Sequence, residues 1–284
     1  MPKTQKHSGI AVIGGSAGCL VLKECGAKLR NLGSVETPFG PSAPVHAFED
    51  SGVVYMSRHG EKSYEVSASF VNYRANIWAL KEMGVERIIA WSGPGAIDES
   101  VAIGEVVVPG DLIDETKRRD YTFFEGAGVG FVRQNPTFCP CVSEALVGVC
   151  EGHFGRVRSD LVYVCTEGPR LETAAEIRKF RVFGGQLVGM TLVPEVFLAK
   201  ELEMCYAALC YVTNYAEGLR RRQFRPGVLF EGLLDDEERH RVDEAARRLP
   251  GLALEAASAL AGKPRDSCSC SKAMERYRRR GDVG

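Results

Sequence analysis

Short runs of β-branched and apolar residues alternate along this chain with stretches of helical spacing, and that alternation restricts it to an α/β architecture. Strands are predicted over residues 10–14, 53–56, 87–91, 105–108, 161–165, 187–190 and 206–213, and helices over 71–83, 172–183, 193–204, 235–248 and 252–261. The expected fold is a single α/β domain, a mixed central β-sheet flanked by helices. In such sheets ligands sit beyond the carboxyl ends of the strands. Six polar or glycine-rich segments follow predicted strands: Gly14-Gly15-Ser16, Arg58-His59-Gly60, Ser92-Gly93, Gly168 to Glu172, Met190-Thr191 and Asn214 to Ala216.

A length of 284 residues with 45% hydrophobic content suits one large domain with a core sufficient to fold unaided. A net charge of -1 argues against a dedicated nucleic-acid binder, which needs a basic footprint. No apolar run approaches the roughly 18 residues of a membrane span. The start of the chain is short, polar and basic, and leads into a first strand, not a signal peptide. A cytoplasmic protein with no membrane or nucleic-acid partner is expected.

The ten cysteines read as buried free thiols of a reducing compartment. Two Cys-x-Cys pairs, Cys139/Cys141 and Cys268/Cys270, are spaced more tightly than usual zinc ligand pairs and have no histidine beside them, so no metal is expected. From Arg220 the character changes. The main domain is placed at 9–262. The tail, 263–284, carries seven basic and three acidic residues and reads as a frayed, solvated end, the rival being a helix docked on a neighbouring subunit.

The polar turns suggest an anion site first. Gly14-Gly15-Ser16 and Ser92-Gly93 offer backbone amides and hydroxyls, Arg58-His59 a guanidinium and an imidazole, and Thr191 a further hydroxyl. The spacing is neither a P-loop nor a dinucleotide fingerprint. Glu172, Thr191 and Asn214 offer an acid, a hydroxyl and a carboxamide that could converge on one polar heterocycle attached to a sugar.

These segments also carry a resemblance. Ile13 to Ser16, Thr37 to Gly40, Arg58 to Gly60, Val71 to Glu82, Pro109 to Asp111, Phe138 to Pro140, Glu167 to Arg170 and Gly189 to Glu201 resemble, in order, segments of trimeric nucleoside phosphorylases of the purine nucleoside/methylthioadenosine phosphorylase family. The likeness runs from about residue 9 to 217 and is nearest the methylthioadenosine branch. It implies a homotrimer, or a dimer of trimers. It implies a nucleoside and inorganic phosphate as substrates, and no organic or metal cofactor. The phosphate site it implies is Ser16, Arg58, His59, Ser92, Gly93 and Thr191. Ser16 stands where threonine is frequent in the family. Met190 would lie under the ribose, and Phe131 would reach across an interface to a neighbour's sugar. Catalysis would fall to Arg58, His59 and Asn214.

The base-binding residues depart from the adenine-specific pattern, which has aspartates at the positions of Asn214 and Ala216. Glu172 with Asn214 resembles the pair that reads inosine or guanosine. Leu171 replaces a stacking phenylalanine. The 5′ end of the sugar would meet either the apolar Phe230, Leu233 and Leu234 or the polar His240. The reading is a phosphorylase of 6-oxopurine nucleosides (5′-methylthioinosine, inosine or guanosine). Its rivals are a methylthioadenosine phosphorylase, a nucleosidase that uses water, and a non-catalytic nucleoside binder. An acid near a helix N-terminus, complementing the helix dipole, is the alternative role for Glu172. Under the phosphorylase reading, Arg58→Ala abolishes turnover and spares folding. A C-terminal Cys-x-Cys forms disulfides in some heat-stable members, which implies a redox or stability role for Cys268 and Cys270.

Overall fold

The computed structural model describes residues 8–15, 22, 26–62, 64–220, 226–229 and 233–283. Ser16, Phe230, Cys19 and Cys25 therefore lie outside the described residues. The strands are β1 (Ile10–Gly14), β2 (Leu29–Gly33), β3 (Glu36–Thr37), β4 (Gly40–Pro41), β5 (Val45–Phe48), β6 (Val54–Ser57), β7 (Arg87–Ser92), β8 (Gly95–Ala96), β9 (Val106–Val107), β10 (Asp111–Glu115), β11 (Val162–Thr166), β12 (Leu187–Gly189), β13 (Cys205–Tyr211) and β14 (Asn214–Tyr215). The helices are α1 (Tyr73–Glu82), α2 (Pro140–Phe154), α3 (Ala174–Val182), α4 (Glu195–Glu201), α5 (Asp236–Leu260) and α6 (Glu275–Arg280).

Seven strands form one mixed sheet in the order β2-β5-β6-β1-β7-β13-β9. Its centre, β6-β1-β7-β13, is parallel. Helices cover parallel strands on both faces, so these strands read as unbroken apolar runs and were legible in the sequence. A second sheet has the order β10-β11-β12-β8-β14. Among the described residues the chain passes between the two sheets five times, and two of these crossings lead to the same place. β7 passes into β8 through Gly93-Pro94, and β13 into β14 through Val212-Thr213. The mixed α/β fold is the one expected.

Several elements differ from the sequence expectation, the unpredicted strand β10 and the two-residue strands β3, β4, β8 and β14 among them. The antiparallel edge pair β2 and β5 was not foreseen, because β2 is short and only half-buried. Helix α2 was also missed, although Val142, Leu146 and Cys150 recur at four-residue spacing on its buried side and Pro140 opens it. The two helices expected over 235–248 and 252–261 are one helix of 25 residues, with Pro250 inside it. A proline there costs about 3 kcal/mol. Burial of Leu249, Leu252, Ala253, Ala256, Ala257 and Leu260 offsets that cost.

The tail is not frayed. Arg87 donates to the carbonyls of Lys263 and Pro264 (2.6 and 3.1 Å), Arg265 to that of Glu203 (2.6 Å), and the amide of Met274 to Glu203 Oε1 (2.9 Å). Met274 and Tyr277 are buried against the same subunit. The basic run masks this in the sequence, because Arg276, Arg278, Arg279 and Arg280 face outward while Tyr277, between Arg276 and Arg278, faces in. The folded tail also brings Cys268 and Cys270 beside Cys139 and Cys205, all four sulfurs within 4.8 Å of one another. These ligand-type groups come from three distant segments, so local Cys-x-Cys spacing gave no hint of them.

Candidate active site

Strand ends of both sheets, two of the crossings among them, bring most of the predicted residues to one place. A cavity of about 240 Å³ is lined by Gly15, Arg58, His59, Ser92, Gly93 and Thr191 together with Leu171, Glu172, Met190, Asn214 and Ala216. Most sit at or just past a strand end, as expected for this class of sheet.

Arg58 is buried, and its guanidinium is held from behind. Nε and Nη2 donate to the two carboxylate oxygens of Glu195 (2.6 and 2.9 Å), and Nη1 donates to the Trp91 carbonyl (3.0 Å). Of the five guanidinium N–H groups, two remain for a ligand. The Tyr206 hydroxyl donates to Glu195 as well (2.7 Å). Burial works against the charge on Arg58, but the Glu195 carboxylate more than reverses it and holds Arg58 above its ordinary pKa. This pair corrects one expectation. Arg58→Ala would leave Glu195 as a buried charge without its partner, so it cannot be neutral for folding.

Burial, reinforced by the charge of Arg58, pushes the His59 imidazole down to about 4. Neutral His59 keeps its proton on Nδ1, donated to the Val66 carbonyl (2.9 Å), which leaves Nε2 an acceptor. The folded pKa lies below the ordinary 6.5, so the unfolded chain binds a proton that the folded one does not between pH 6.5 and about 4. Stability from this group is therefore present above that window and is lost as pH falls through it, at up to about 1.4 kcal/mol per pH unit. His59→Gln is expected to flatten the fall of unfolding free energy across that window. Equal slopes for variant and parent in denaturant titrations would show that His59 titrates normally.

Ser92 and Thr191 form a hydroxyl chain, Oγ to Oγ1 at 2.8 Å, with the Tyr163 hydroxyl 3.1 Å from Ser92. Gly189 permits this, since a β-carbon there would stand 2.1 Å from the Tyr163 oxygen. Next to it, Met190 and Thr191 turn into the cavity.

At the far side of the cavity, Glu172 Oε1 accepts from the Thr166 hydroxyl (2.5 Å). Glu172 stands one residue ahead of the cap of α3. The capping acid is Glu176, in a reciprocal box with Thr173. Glu176 is the acid within the first turn of α3, while Glu172, one residue ahead of the cap, lines the cavity. Asn214 Oδ1 accepts from the Thr213 hydroxyl (2.7 Å), and its Nδ2 donates to the Tyr215 carbonyl (3.0 Å). One lone pair and one N–H remain on that side chain.

An adjoining cavity of about 440 Å³ shares Leu171, Glu172, Asn214 and Ala216 and continues along Val228, Leu229, Leu233 and Leu234. His240 is exposed and lines neither cavity. Phe131 lies elsewhere, 82% exposed.

Sequence reasoning missed Glu195, Tyr206 and Arg119. Glu195 falls within a quoted family-like segment, but nothing local couples it to an arginine 137 residues earlier. Buried Arg119 donates to the carbonyls of Thr166 and Glu167 (3.1 and 2.8 Å), fixing the turn that leads to Glu172.

The same architecture and sequence recur in known proteins. The chain is 39% identical over 267 residues, 93% of it and 88% of the relative, to a protein of Methanothermobacter thermautotrophicus named probable S-methyl-5′-thioinosine phosphorylase. It is 41% identical over 230 residues, 78% of it and 85% of the relative, to the 6-oxopurine nucleoside phosphorylase of Pyrococcus furiosus. The crystal structure of a methylthioadenosine phosphorylase from an antarctic soil metagenomic library superposes with a TM-score of 0.81 at 28% identity, covering 95% of this chain and 91% of that one. The model of the phosphorylase superfamily matches residues 10–257, which takes in both sheets and every strand end that lines the cavity. With the fold, the strand-end cavity and the sequence all agreeing, the chain belongs to the phosphorylase superfamily.

Proposed function

We propose that this protein is a phosphate-dependent nucleoside phosphorylase, a pentosyltransferase, acting on 6-oxopurine nucleosides with 5′-methylthioinosine foremost. The free hydrogen-bonding capacity of Glu172 and Asn214 carries the reading. A 6-oxopurine offers an N1–H donor and an O6 acceptor, and its N7 gains a proton as the base leaves. Glu172 accepts from N1–H. Asn214 donates its spare N–H to O6 and accepts from N7–H with its spare lone pair. Adenine presents an N1 lone pair to Glu172 and an amino group where Asn214 has a donor, so two contacts are lost.

Phosphate is held by the two remaining N–H groups of Arg58, the amide of Gly93 and the hydroxyls of Ser92 and Thr191, with Ser16 as the expected further hydroxyl. His59 Nε2 accepts from a protonated phosphate oxygen. The glycosidic bond breaks ahead of full bonding by phosphate. The negative charge on the departing purine is neutralised as N7 takes a proton from solvent, the N7–H then donating to Asn214 Oδ1, and Met190 supports the sugar. The gain comes from positioning and from groups aimed at developing charge. Inorganic phosphate serves as co-substrate, and no cofactor takes part. Leu233 and Leu234 line the cavity that continues from the base residues, while His240 does not. That favours an apolar 5′ substituent. The names of the relatives, S-methyl-5′-thioinosine and 6-oxopurine nucleoside phosphorylase, agree with this choice. Phe131 is free at the surface to cover the sugar of a neighbouring subunit in a homotrimer.

The test is base release from methylthioinosine, inosine, guanosine and methylthioadenosine, each with and without phosphate. Hypoxanthine release from methylthioinosine, with phosphate only, is the expected result. Release without phosphate would make the protein a nucleosidase. Faster adenine release from methylthioadenosine would replace the base assignment with that of a methylthioadenosine phosphorylase.

A further inference from the structure

Away from the cavity, Cys139, Cys205, Cys268 and Cys270 converge. Cys139 caps the start of α2, and its amide donates to the Tyr206 carbonyl (2.8 Å). Cys205 opens β13, and its amide donates to the Glu86 carbonyl (2.9 Å). Cys268 and Cys270 flank a short turn of the tail. Two of the three carriers are thus rigid elements of the core, and the third is the tail they meet.

The four sulfurs lie within 4.8 Å of one another, with Cys205 and Cys268 at 3.4 Å. A tetrahedral tetrathiolate ion with metal–sulfur bonds of about 2.3 Å sets its sulfurs about 3.8 Å apart. A disulfide joins only two sulfurs, at about 2.05 Å, and has no need of a compact group of four. Cys139, Cys205 and Cys270 are buried and Cys268 is half-buried, so the centre is shielded from solvent. Four thiolates around a divalent ion carry net negative charge. The buried ammonium of Lys200 lies within electrostatic reach of Cys139 and Cys270 and offsets part of it.

The geometry points to a structural tetrathiolate zinc site formed by Cys139, Cys205, Cys268 and Cys270. Thiolate ligands select a soft, tetrahedral ion, and four protein ligands leave no open position for catalysis. Binding Zn²⁺ forms four metal–sulfur bonds and releases the thiol protons to solvent, with no change of oxidation state. The ion would clamp the tail to the start of α2 and β13. Tyr277, further along the same tail, accepts from the amide of Phe131 (2.9 Å), so the clamp also fixes the segment that carries Phe131.

The experiment uses the full chain, purified under reducing conditions without a metal-affinity step or chelator. Elemental analysis is expected to give one zinc per chain, and X-ray absorption at the zinc edge four sulfurs at about 2.3 Å. A zinc chelator should lower the melting temperature, and zinc but not magnesium should restore it. Cys139→Ser and Cys270→Ser should lose the metal. Cys141→Ser should keep it, because Cys141 stands outside the group. Should the serine variants misfold, cobalt substitution of the parent protein gives a second reading through the visible absorption of tetrahedral cobalt thiolate. A metal-free protein that takes up neither ion would overturn the proposal. So would disulfides found by intact mass among these four residues, or full metal content in the serine variants.

Discussion

Arg58→Ala is expected to cost about 3–5 kcal/mol of folding stability in addition to its effect on turnover, because it strands the Glu195 carboxylate in the core. The carboxylate is 1% exposed and gives both oxygens to Arg58, with the Tyr206 hydroxyl as its remaining described partner. Loss of a charged donor at the phosphate should lower kcat/KM by about 10²–10³-fold or more. The two effects separate in a triple variant. Arg58→Met, Glu195→Leu and Tyr206→Phe together replace the polar group by apolar side chains of similar size, an exchange that is often neutral or stabilising. That variant should recover most of the lost stability while phosphorolysis stays at least as low as in Arg58→Ala. Thermal unfolding and a phosphate-dependence assay on both proteins check this. An Arg58→Ala protein as stable as its parent would mean that the ion pair does not hold in solution. Substantial turnover in the triple variant would remove Arg58 from the phosphate site.

Asn214→Asp should reverse the preference at the base. The carboxylate has no N–H for O6, sets a negative charge against that oxygen, and gains an acceptor for a 6-amino group. A lost hydrogen bond of this kind is worth about 1.5–3 kcal/mol when a charged group is involved, and an unpaired polar edge adds to it. The expected outcome is a fall of about 10²-fold or more in kcat/KM for methylthioinosine, with a smaller change for methylthioadenosine. Steady-state kinetics on both substrates measure the ratio. An unchanged ratio would mean that this carboxamide does not read the base, and Glu172 alone would have to explain any selectivity.

The parallel strands were legible because burial on both faces writes itself as an uninterrupted apolar run. Ile10–Gly14 was read to the residue. The residues that line the cavity were legible for a related reason: most of them sit at or just past strand ends. What the sequence hid was pairing over distance. Nothing near Arg58 announces Glu195, and nothing near Cys139 announces Cys268. The 25-residue helix was split in the reading at Pro250-Gly251, where local propensity favours a break and tertiary burial overrides it. The tail was misread because seven basic residues outweigh one buried tyrosine in any compositional reading.

Ser92 ends a strand of the large sheet, whereas Thr191 follows a strand of the small one, and their hydroxyls meet at 2.8 Å. The cavity therefore straddles a seam, and whatever fills it acts as a cross-brace between the two sheets. Occupancy should be felt well away from the ligand, as slower amide exchange along β7 and β12 alike. A filled site should also raise the melting temperature with ligand concentration, as mass action requires. Drift of one sheet against the other would pull the hydroxyls apart and open the pocket without unfolding either layer.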